Sequence, residues 1–390
     1  MIRWFLTCLC ALAASTAASA QALGTATNAG TSPGAVTTSP ALPTDSYLTL
    51  QRRLVEVFEQ NKRAVVKVFA ASERRADSSE EAPRPVQFVG TGFFISREGH
   101  VLTNANITLG AERIWIELTD GLKIFAELIG QDPVTNISIL RVMEVPEGQH
   151  FLRFSDAGAP PGAGTLVQAI TCELWFGPAP SFGQVKGIDA NYGPVRLPTL
   201  HLRTSIPAEG GEGGSPVFDL NGDLIGMITA SLPELRSSYV LPARAVNRVK
   251  DDILLEGEVS YASFGFRVRQ FSQLDGRVQV VIEEVANGSP AEAAGLREGD
   301  VIERVAEYAI RRDADLRQAS FYLRPDKLVA VGVVREGEAF ELPLKLGRRE
   351  VNWANIEREG GILTAPDAGV ASPEDRPSPA EEPASAEGAG

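Results

Sequence analysis

The middle of this chain is a succession of short β-prone runs separated by Gly, Pro, Asn and Asp. Each run is bounded by turn residues and is too short for an ordinary helix. So many short strands at close spacing predict an all-β barrel or sandwich between Gln87 and about Leu241. The clearest runs are Ile114–Leu118, Ile124–Ile129, Ile137–Val142, Leu166–Thr171, Thr199–Thr204 and Leu224–Thr229.

Three segments of this β-rich region share a motif pattern with one protease family. They are Gly90–Ile95 with Val101–Ile107, then Asp132–Leu140, then Gly211–Val217 with Asn221–Gly226. Their order and spacing resemble the HtrA (DegP-like) family of secreted trypsin-fold proteases. The resemblance covers roughly residues 46–348. It implies two six-stranded barrels with a cleft between them, and a homotrimer as the assembly.

The catalytic positions of that family are all replaced here. The family has His in its TNxHV segment, Asp in TDLAVL and Ser in GNSGGPL, where this chain has Asn106, Asn136 and Gly213. Gly213 has no side chain to form an acyl-enzyme, and the neutral amide of Asn106 cannot accept a proton near pH 7. Asn136 cannot stabilise an imidazolium, and that loss alone costs about 10⁴ in rate. The sequence therefore predicts a pseudoprotease with no catalytic residue at these positions.

A rebuilt active site is the enzymatic alternative. Ser215 lies two residues past Gly213, and the chain has three histidines, His100, His150 and His201. We interpret these histidines as a strand-entry residue, a loop residue and a strand residue, respectively. Cys172 is interpreted as a buried strand cysteine.

The glycine-rich loop before Ser215 is a candidate site for binding a peptide. Gly211, Glu212 and Gly213 can still turn two backbone N–H groups toward a carbonyl or carboxylate. Glu212 adds a negative charge beside this remnant of the oxyanion loop, which disfavours an oxyanion. A collapsed relic and an intact peptide-binding, non-cleaving cleft both remain open.

A second domain begins near Ser263. Its segment SPAEAAGLREGDVI, residues 289–302, resembles an HtrA-type PDZ domain, an α+β fold. We expect strands from Phe264 and at Val278–Val285, helices at Ser289–Leu296 and Asp313–Leu323, and further strands at Leu328–Val334 and Phe340–Leu346. The resemblance implies that amides near Phe264, Gly265 and Phe266 bind a peptide C-terminal carboxylate while the peptide adds as a strand.

Both ends of the chain read as segments outside the fold. Arg3, the apolar stretch Trp4–Ala13 and Ala18-Ser19-Ala20 predict a cleaved signal peptide. We therefore divide the chain into a signal peptide (1–20), a flexible linker (21–45), a trypsin-like domain (46–257), a PDZ domain (258–348) and a disordered acidic tail (349–390). Within the trypsin-like domain we expect helices at Ser46–Asn61 and Ala243–Leu255, a strand at Ala64–Ala70 and a surface loop at 72–86.

Composition limits the partners and the compartment. The net charge of −13 argues against nucleic acid, because phosphate binding needs clustered positive charge. Residues 351–390 hold eight acids and two arginines, so −6 of that charge lies in the tail. Cys8 and Cys10 would leave with the signal peptide, and a single remaining cysteine fits a bacterial periplasm or secretion without disulfides. No integral membrane span, metal site or cofactor is predicted.

Three functions compete at this stage. The first is an exported binding protein that engages peptides or unfolded envelope proteins, through free C-termini, with its PDZ domain and a non-cleaving cleft. The second is a serine endopeptidase rebuilt on Ser215. The third is a regulatory subunit of an active HtrA-type protease.

Overall fold

The computed structural model describes residues 45–74, 84–154, 160–192, 195–272 and 276–351. The predicted signal peptide lies outside these ranges, as do the linker before residue 45 and the tail beyond residue 351. The described structure is mostly β, with two closed barrels followed by an α+β domain. No helix in these ranges is long and apolar enough to cross a membrane.

The first barrel closes in the order β1-β2-β3-β6-β5-β4, entirely through antiparallel pairs. Alternate residues of β1, namely Val66, Val68 and Ala70, point into the barrel and are buried, as the period of two in a strand requires. The strands are β1 (Val65–Arg74), β2 (Arg84–Phe94), β3 (His100–Thr103), β4 (Arg113–Glu117), β5 (Lys123–Asp132) and β6 (Ile137–Val142).

The second barrel closes in the order β10-β11-β12-β9-β8-β7. Its interior is lined by small and branched apolar side chains, including Val167, Leu202 and Val240. The strands are β7 (Leu166–Cys172), β8 (Pro178–Tyr192), β9 (Val195–Thr204), β10 (Pro216–Asp219), β11 (Leu224–Leu232) and β12 (Ser237–Pro242).

Three helices accompany the barrels. Helix α1 spans Ser46–Asn61 and leads through a short 3₁₀ turn, Lys62–Ala64, into β1. The one-turn helix α2, Ala105–Thr108, follows β3 and carries position 106. Helix α3, Ala243–Glu256, ends at Gly257, whose φ of 81° allows its amide to cap the Ile253 carbonyl.

The C-terminal domain is a sheet of order β14-β15-β16-β18-β19, covered by helices α4 (Pro290–Ala293) and α5 (Asp313–Tyr322). A separate two-stranded ladder pairs β13 (Ala262–Ser263) with β20 (Gly347–Arg348). The sheet strands are β14 (Phe266–Ser272), β15 (Val278–Val285), β16 (Val301–Val305), β17 (Tyr308–Ala309), β18 (Leu328–Arg335) and β19 (Glu338–Lys345).

Most predicted elements are confirmed, and one is wrong. The predicted bounds of α1, β6 and β15 match the structure to the residue. The loop expected at 72–86 is wrong at both ends, because Ser72–Arg74 pair with Arg84–Val86 as β1 and β2 continue past the barrel. Their charges and prolines suggested a loop, but a two-stranded extension away from the core tolerates both.

Helix α5 of the C-terminal domain packs against the two-barrel domain. Phe321 is 2% exposed and belongs to the same core cluster as residues of α3 and of both barrels. The Arg248 guanidinium of α3 contacts the rings of both Phe321 and Tyr261, at 4.8 and 5.0 Å from their centres. Arg324, just past α5, forms an ion pair with Asp252 of α3. The two domains thus share a buried core.

Candidate functional site

The loop before β10 makes two successive tight turns. The Glu212 amide donates to the Glu209 carbonyl at 3.2 Å, and the Ser215 amide donates to the Glu212 carbonyl at 3.3 Å. The third residue of each turn is a glycine with positive φ, 93° at Gly211 and 90° at Gly214. This is the position at which a type II turn requires φ above zero. The glycine-rich sequence therefore builds two defined turns.

The amide of Gly211 points into the cleft. It belongs to the peptide unit whose carbonyl, that of Gly210, accepts from the Leu174 amide at 3.4 Å. The N–H and C=O of a trans peptide point in opposite directions, so the Gly211 N–H faces away from Leu174. Gly211 lines the cleft, and its N–H has no acceptor in the described part of the chain.

The amide of Gly213 has the same property. Its peptide carbonyl, that of Glu212, accepts from the Ser215 amide at 3.3 Å and from the Ser215 hydroxyl at 2.6 Å. Ser215 is fully buried, so the Gly213 N–H points outward, and no described group accepts from it. Two free donors on adjacent turns are the arrangement of an oxyanion hole.

Thr91 of β2 holds both turns in place. Its amide donates to the Gly213 carbonyl at 2.9 Å, and its hydroxyl donates to the Gly211 carbonyl at 2.7 Å. The hydroxyl also accepts from the Cys172 amide at 2.8 Å. The first barrel therefore positions the loop of the second. We did not predict Thr91 as a site residue, although the tripeptide Gly90-Thr91-Gly92 was visible in the motif.

The uncharged side chain of Asn136 holds two backbone segments of the cleft in place. It has φ of 60°, and its Oδ1 accepts from the Asn106 amide at 2.9 Å. Its Nδ2 donates to the Thr229 carbonyl at 2.8 Å. The residue is 5% exposed, so its amide group ties α2 to β11 across the cleft. The Asn106 side chain is exposed and does not receive this hydrogen bond.

Asn104 occupies the middle of the site and was missed by the sequence reading. With the orientation of the Asn104 amide assigned from its hydrogen-bond partners, its nitrogen donates to the carbonyls of Asn136 and Ile228, at 3.2 and 3.1 Å, and its oxygen accepts from the Gly214 amide at 3.2 Å. A Cβ added at Gly213 would lie 2.8 Å from the end of this side chain. The sequence signal for this residue was its place in the segment Val101–Ile107, where Asn104 stands two residues before position 106.

The cleft formed by these residues has a volume of about 300 Å³. Its walls are mostly apolar or backbone, and Glu209 is the one charged residue among those that line it. The Glu212 carboxylate, predicted to sit beside the hole, instead accepts from the Glu209 amide at 2.5 Å and is buried. The other lining residues are Val89, Asn104, Asn106, Ile107, Ala208, Gly210, Gly211, Gly213, Ile228, Thr229, Ala230 and Ser231.

None of the three histidines contacts Ser215, whose hydroxyl donates to Glu212. His100, at the start of β3, pairs with the Ser96 hydroxyl at 2.9 Å, and burial lowers its pKa. His150 is exposed in a loop. His201 is fully buried in β9 and contacts the Thr199 carbonyl at 3.0 Å. The structure therefore does not assemble a nucleophile–base pair on Ser215.

The remaining candidate nucleophile is inert. Cys172 is buried at the end of β7, and this burial raises the pKa of its thiol to about 12. A thiol held neutral at physiological pH is a poor nucleophile. Among the described residues, no group of three or more His, Cys, Asp or Glu side chains is arranged to hold a metal.

In the C-terminal domain, Phe264 and Gly265 link β13 to β14, and Phe266 is the first residue of β14, so the strand predicted from Phe264 begins two residues later. Phe264 is 6% exposed and part of the domain core, and its ring stacks on that of Phe266 at 5.5 Å. Gly265 has φ of 83°, and a Cβ there would lie 2.6 Å from the Ser289 Cβ. Glycine at 265 is thus required by the fold of the domain itself.

Strand β14 is an edge of its sheet, because β15 is its one partner in the described structure. The side chains of Phe266 and Val268 pack partly against the domain core. Gln270 reaches helix α5, where its Oε1 accepts from the Asp313 amide at 3.2 Å. An edge strand beside a helix is the geometry that takes up a peptide by β-augmentation.

Comparisons with known proteins identify both domains. Residues 90–227 match the trypsin-like peptidase domain family, and residues 262–346 match the PDZ domain family. The predicted combination of a trypsin-like domain with one PDZ domain is therefore confirmed.

Relatives are described as probable periplasmic serine endoproteases of DegP-like type. One from Chlamydia trachomatis is 27% identical over 307 residues, which cover 75% of this chain and 60% of the relative. One from Ectopseudomonas mendocina is 27% identical over 275 residues, covering 68% of this chain and 57% of the relative. The chain therefore spans about 60% of the length of the curated relatives it matches.

Solved structures show the same fold. The HtrA-type protease AlgW with a decapeptide matches with a TM-score of 0.63 at 20% identity, covering 76% of this chain and 99% of that one. A serine endoprotease from Yersinia pestis matches with a TM-score of 0.55 at 20% identity, covering 76% and 98%.

Proposed function

We propose that this chain, a DegP/HtrA homologue in which a trypsin-like peptidase domain precedes one PDZ domain, is a pseudoprotease that binds peptides without cleaving them. The observation that carries the proposal is the triad position 213, where a glycine leaves no nucleophile while the surrounding turns remain ordered. Asn106 and Asn136 supply neither a base nor a charge to orient one. What survives the loss of a triad is about 10³–10⁴ over water, which is negligible for an amide bond.

The ordered turns argue against a collapsed relic. The donors of Gly211 and Gly213 are held by the bonds of their neighbouring carbonyls, and Thr91 anchors the carbonyls of the same two glycines. Asn136 bridges α2 to β11 as a charged carboxylate could not, because one of its contacts requires a donor. The cleft is therefore built with amide chemistry suited to binding.

Peptide binding is assigned first to the PDZ domain. The edge strand β14 and helix α5 offer the geometry of β-augmentation, and the structural neighbour AlgW was solved with a decapeptide. Peptides or unfolded envelope proteins with free C-termini are the partners we propose. The periplasmic description of the relatives and the predicted signal peptide support an envelope location.

A cleavage assay tests the first half of the proposal. The full mature chain should leave casein intact between about pH 5 and 9, and Gly213→Ser alone should not create turnover, because triad members act as a unit. Cleavage by the native chain that disappears in Ser215→Ala would overturn the pseudoprotease assignment and support the rebuilt peptidase. If cleavage persists in Ser215→Ala, it comes from a contaminating protease. The assay is then repeated after further purification, and the contaminant is identified by mass spectrometry.

A binding assay tests the second half, with a fluorescein-labelled peptide that ends in a free apolar residue. We expect Val268→Lys to weaken binding at least tenfold, since Val268 is half-buried on the side of β14 that packs toward the core. Arg269→Ala is the matched control, because Arg269 points to the other side and pairs with exposed Glu283. Equal binding by both variants would contradict a site along β14.

A further inference from the structure

We infer that the cleft of the peptidase domain is itself a site for the free α-carboxylate of a peptide C-terminus. This inference deepens the proposed function and rests on its non-cleaving cleft. The N–H groups of Gly211 and Gly213 both point into the cleft without an acceptor in the described structure. Two fixed donors that face a cleft suit an anionic ligand, because a carboxylate is a stronger acceptor than a neutral carbonyl.

Glycine at position 213 leaves no side chain between the two backbone donors and a ligand. An uncleaved peptide presents one carbonyl oxygen to such donors, whereas a chain end presents two oxygens. Within 4 Å of the point where a Cβ of residue 213 would stand, only the Asn104 side chain is found. The end of that side chain lies 2.8 Å from this point, so Asn104 already fills the space, and the two oxygens of a chain end are matched by the two N–H groups that face the cleft.

The donors are rigid enough to recognise a charge. The Gly210 carbonyl faces the Leu174 amide, and the Glu212 carbonyl faces Ser215, which fixes the opposite N–H groups. Thr91 binds the carbonyls of Gly211 and Gly213. Donors fixed before binding cost little reorganisation when the anion arrives.

The apolar part of the cleft sets the preferred last residue. Ala208, Ile228 and Ala230 line the cleft together with the donors, and Ala208 is fixed by the Ser231 hydroxyl, which donates to its carbonyl. A space of about 300 Å³ is at the small end of ligand pockets. A small or medium apolar residue such as Ala or Val is therefore expected at the chain end.

The charge of the cleft provides a control. Glu209 is exposed at its rim and is the one charged residue among its lining. Its carboxylate repels a ligand carboxylate and leaves an amidated ligand unaffected. Removing this charge should therefore strengthen binding of acids alone.

The chemical class of the ligand places the chain in a sequence of reactions. Peptides with new free C-termini arise from hydrolysis of peptide bonds, and this chain has no nucleophile at the site to produce them. The reaction that supplies the ligand is therefore proteolysis by another enzyme. A chain that binds such ends would retain or sense the products of that reaction.

The test uses the full mature chain and the probe acetyl-Ala-Ala-photoleucine, as free acid and as amide. Binding is followed by calorimetry, and photo-crosslinks are located by mass spectrometry. We expect the acid to crosslink near Ala208 and Ile228 and the amide to bind the cleft at least tenfold more weakly. Glu209→Gln should strengthen cleft binding of the acid severalfold and leave the amide unchanged. Gly213→Val, with folding checked by circular dichroism, should abolish crosslinks in the cleft.

The result that overturns this inference differs from the one that overturns the proposed function. Acid-dependent crosslinks found only around Phe264–Val268 would leave the PDZ proposal standing and remove the cleft site. Equal cleft crosslinking by acid and amide, or an unchanged crosslink in Gly213→Val, would also remove it. Turnover of casein on the native site would overturn the proposed function itself.

Discussion

At the scale of single residues, the contacts of Asn136 and Asn104 depend on the residues present at positions 136 and 213. Asn136 donates through Nδ2 to the Thr229 carbonyl and accepts through Oδ1 from the Asn106 amide. An ionised aspartate could keep the second contact but would set two acceptors against each other in the first. Asn104 likewise leaves little room for a serine side chain at 213. The contacts around these positions therefore fit an amide at 136 and a glycine at 213.

The first prediction is therefore that Asn136→Asp destabilises the protein by about 1–3 kcal/mol, the cost of a buried acceptor left without its partner. Asn106→His is the matched control, since position 106 is exposed and its change should stay within about 0.5 kcal/mol. Urea unfolding at pH 7 measures both. An Asn136→Asp variant as stable as the native chain would show that Thr229 has no need of a donor.

At the scale of elements, periodicity and turn residues were sufficient wherever a strand or helix has one buried face. Helix α1, strand β6 and strand β15 were predicted to the residue for this reason. The extension of β1 and β2 at 72–74 and 84–86 was not, because it lies beyond the barrel and its pairing is set by register. The free donors of Gly211 and Gly213 were only a possibility in the sequence, since the direction of a peptide unit depends on partners from distant segments such as Thr91.

The second prediction concerns strand β9 and its buried histidine. Complete burial lowers the pKa of His201 to about 4, below its ordinary 6.5, so the unfolded chain takes up this proton first. The stability that depends on neutral His201 is present above pH 6.5 and is lost as the pH falls toward about 4. Between pH 7 and pH 5 this amounts to about 2 kcal/mol.

His201→Phe should remove that part of the acid sensitivity while keeping the edge contact with Tyr239, whose ring centre is 5.9 Å away. The free energy of unfolding of the variant would then fall less between pH 7 and pH 5 than that of the native chain. His150→Gln, at an exposed loop position, serves as the control. If the free energy of unfolding has the same pH dependence in His201→Phe and in the native chain, His201 is not the source of this acid sensitivity.

At the scale of the whole molecule, two contacts join the PDZ domain to the peptidase domain. One is the buried core that contains Phe321, and the other is a hydrogen bond to the turn that leads to Asn136. Tyr261, just before β13, donates its hydroxyl to the buried Asp132 at 2.5 Å, and Asp132 also accepts from Thr135. These residues begin the turn that ends in Asn136, so the start of the PDZ domain and the bridge across the cleft share one segment. Sequence alone could not reveal this contact, because residues 132 and 261 are brought together only by the docking of two domains.

The last prediction tests that docking through Phe321. Truncating a buried phenylalanine costs about 3–5 kcal/mol, and here the cavity would open between α5 and the peptidase domain. We expect the native chain to unfold in one calorimetric transition and Phe321→Ala to unfold in two, with the PDZ domain melting first. Phe271→Ala is the control, since that ring is 46% exposed on the same domain and contributes nothing to the shared core. A single transition at an unchanged Tm in Phe321→Ala would mean that the domains are coupled elsewhere. Two transitions already in the native chain would mean that the shared core does not couple them.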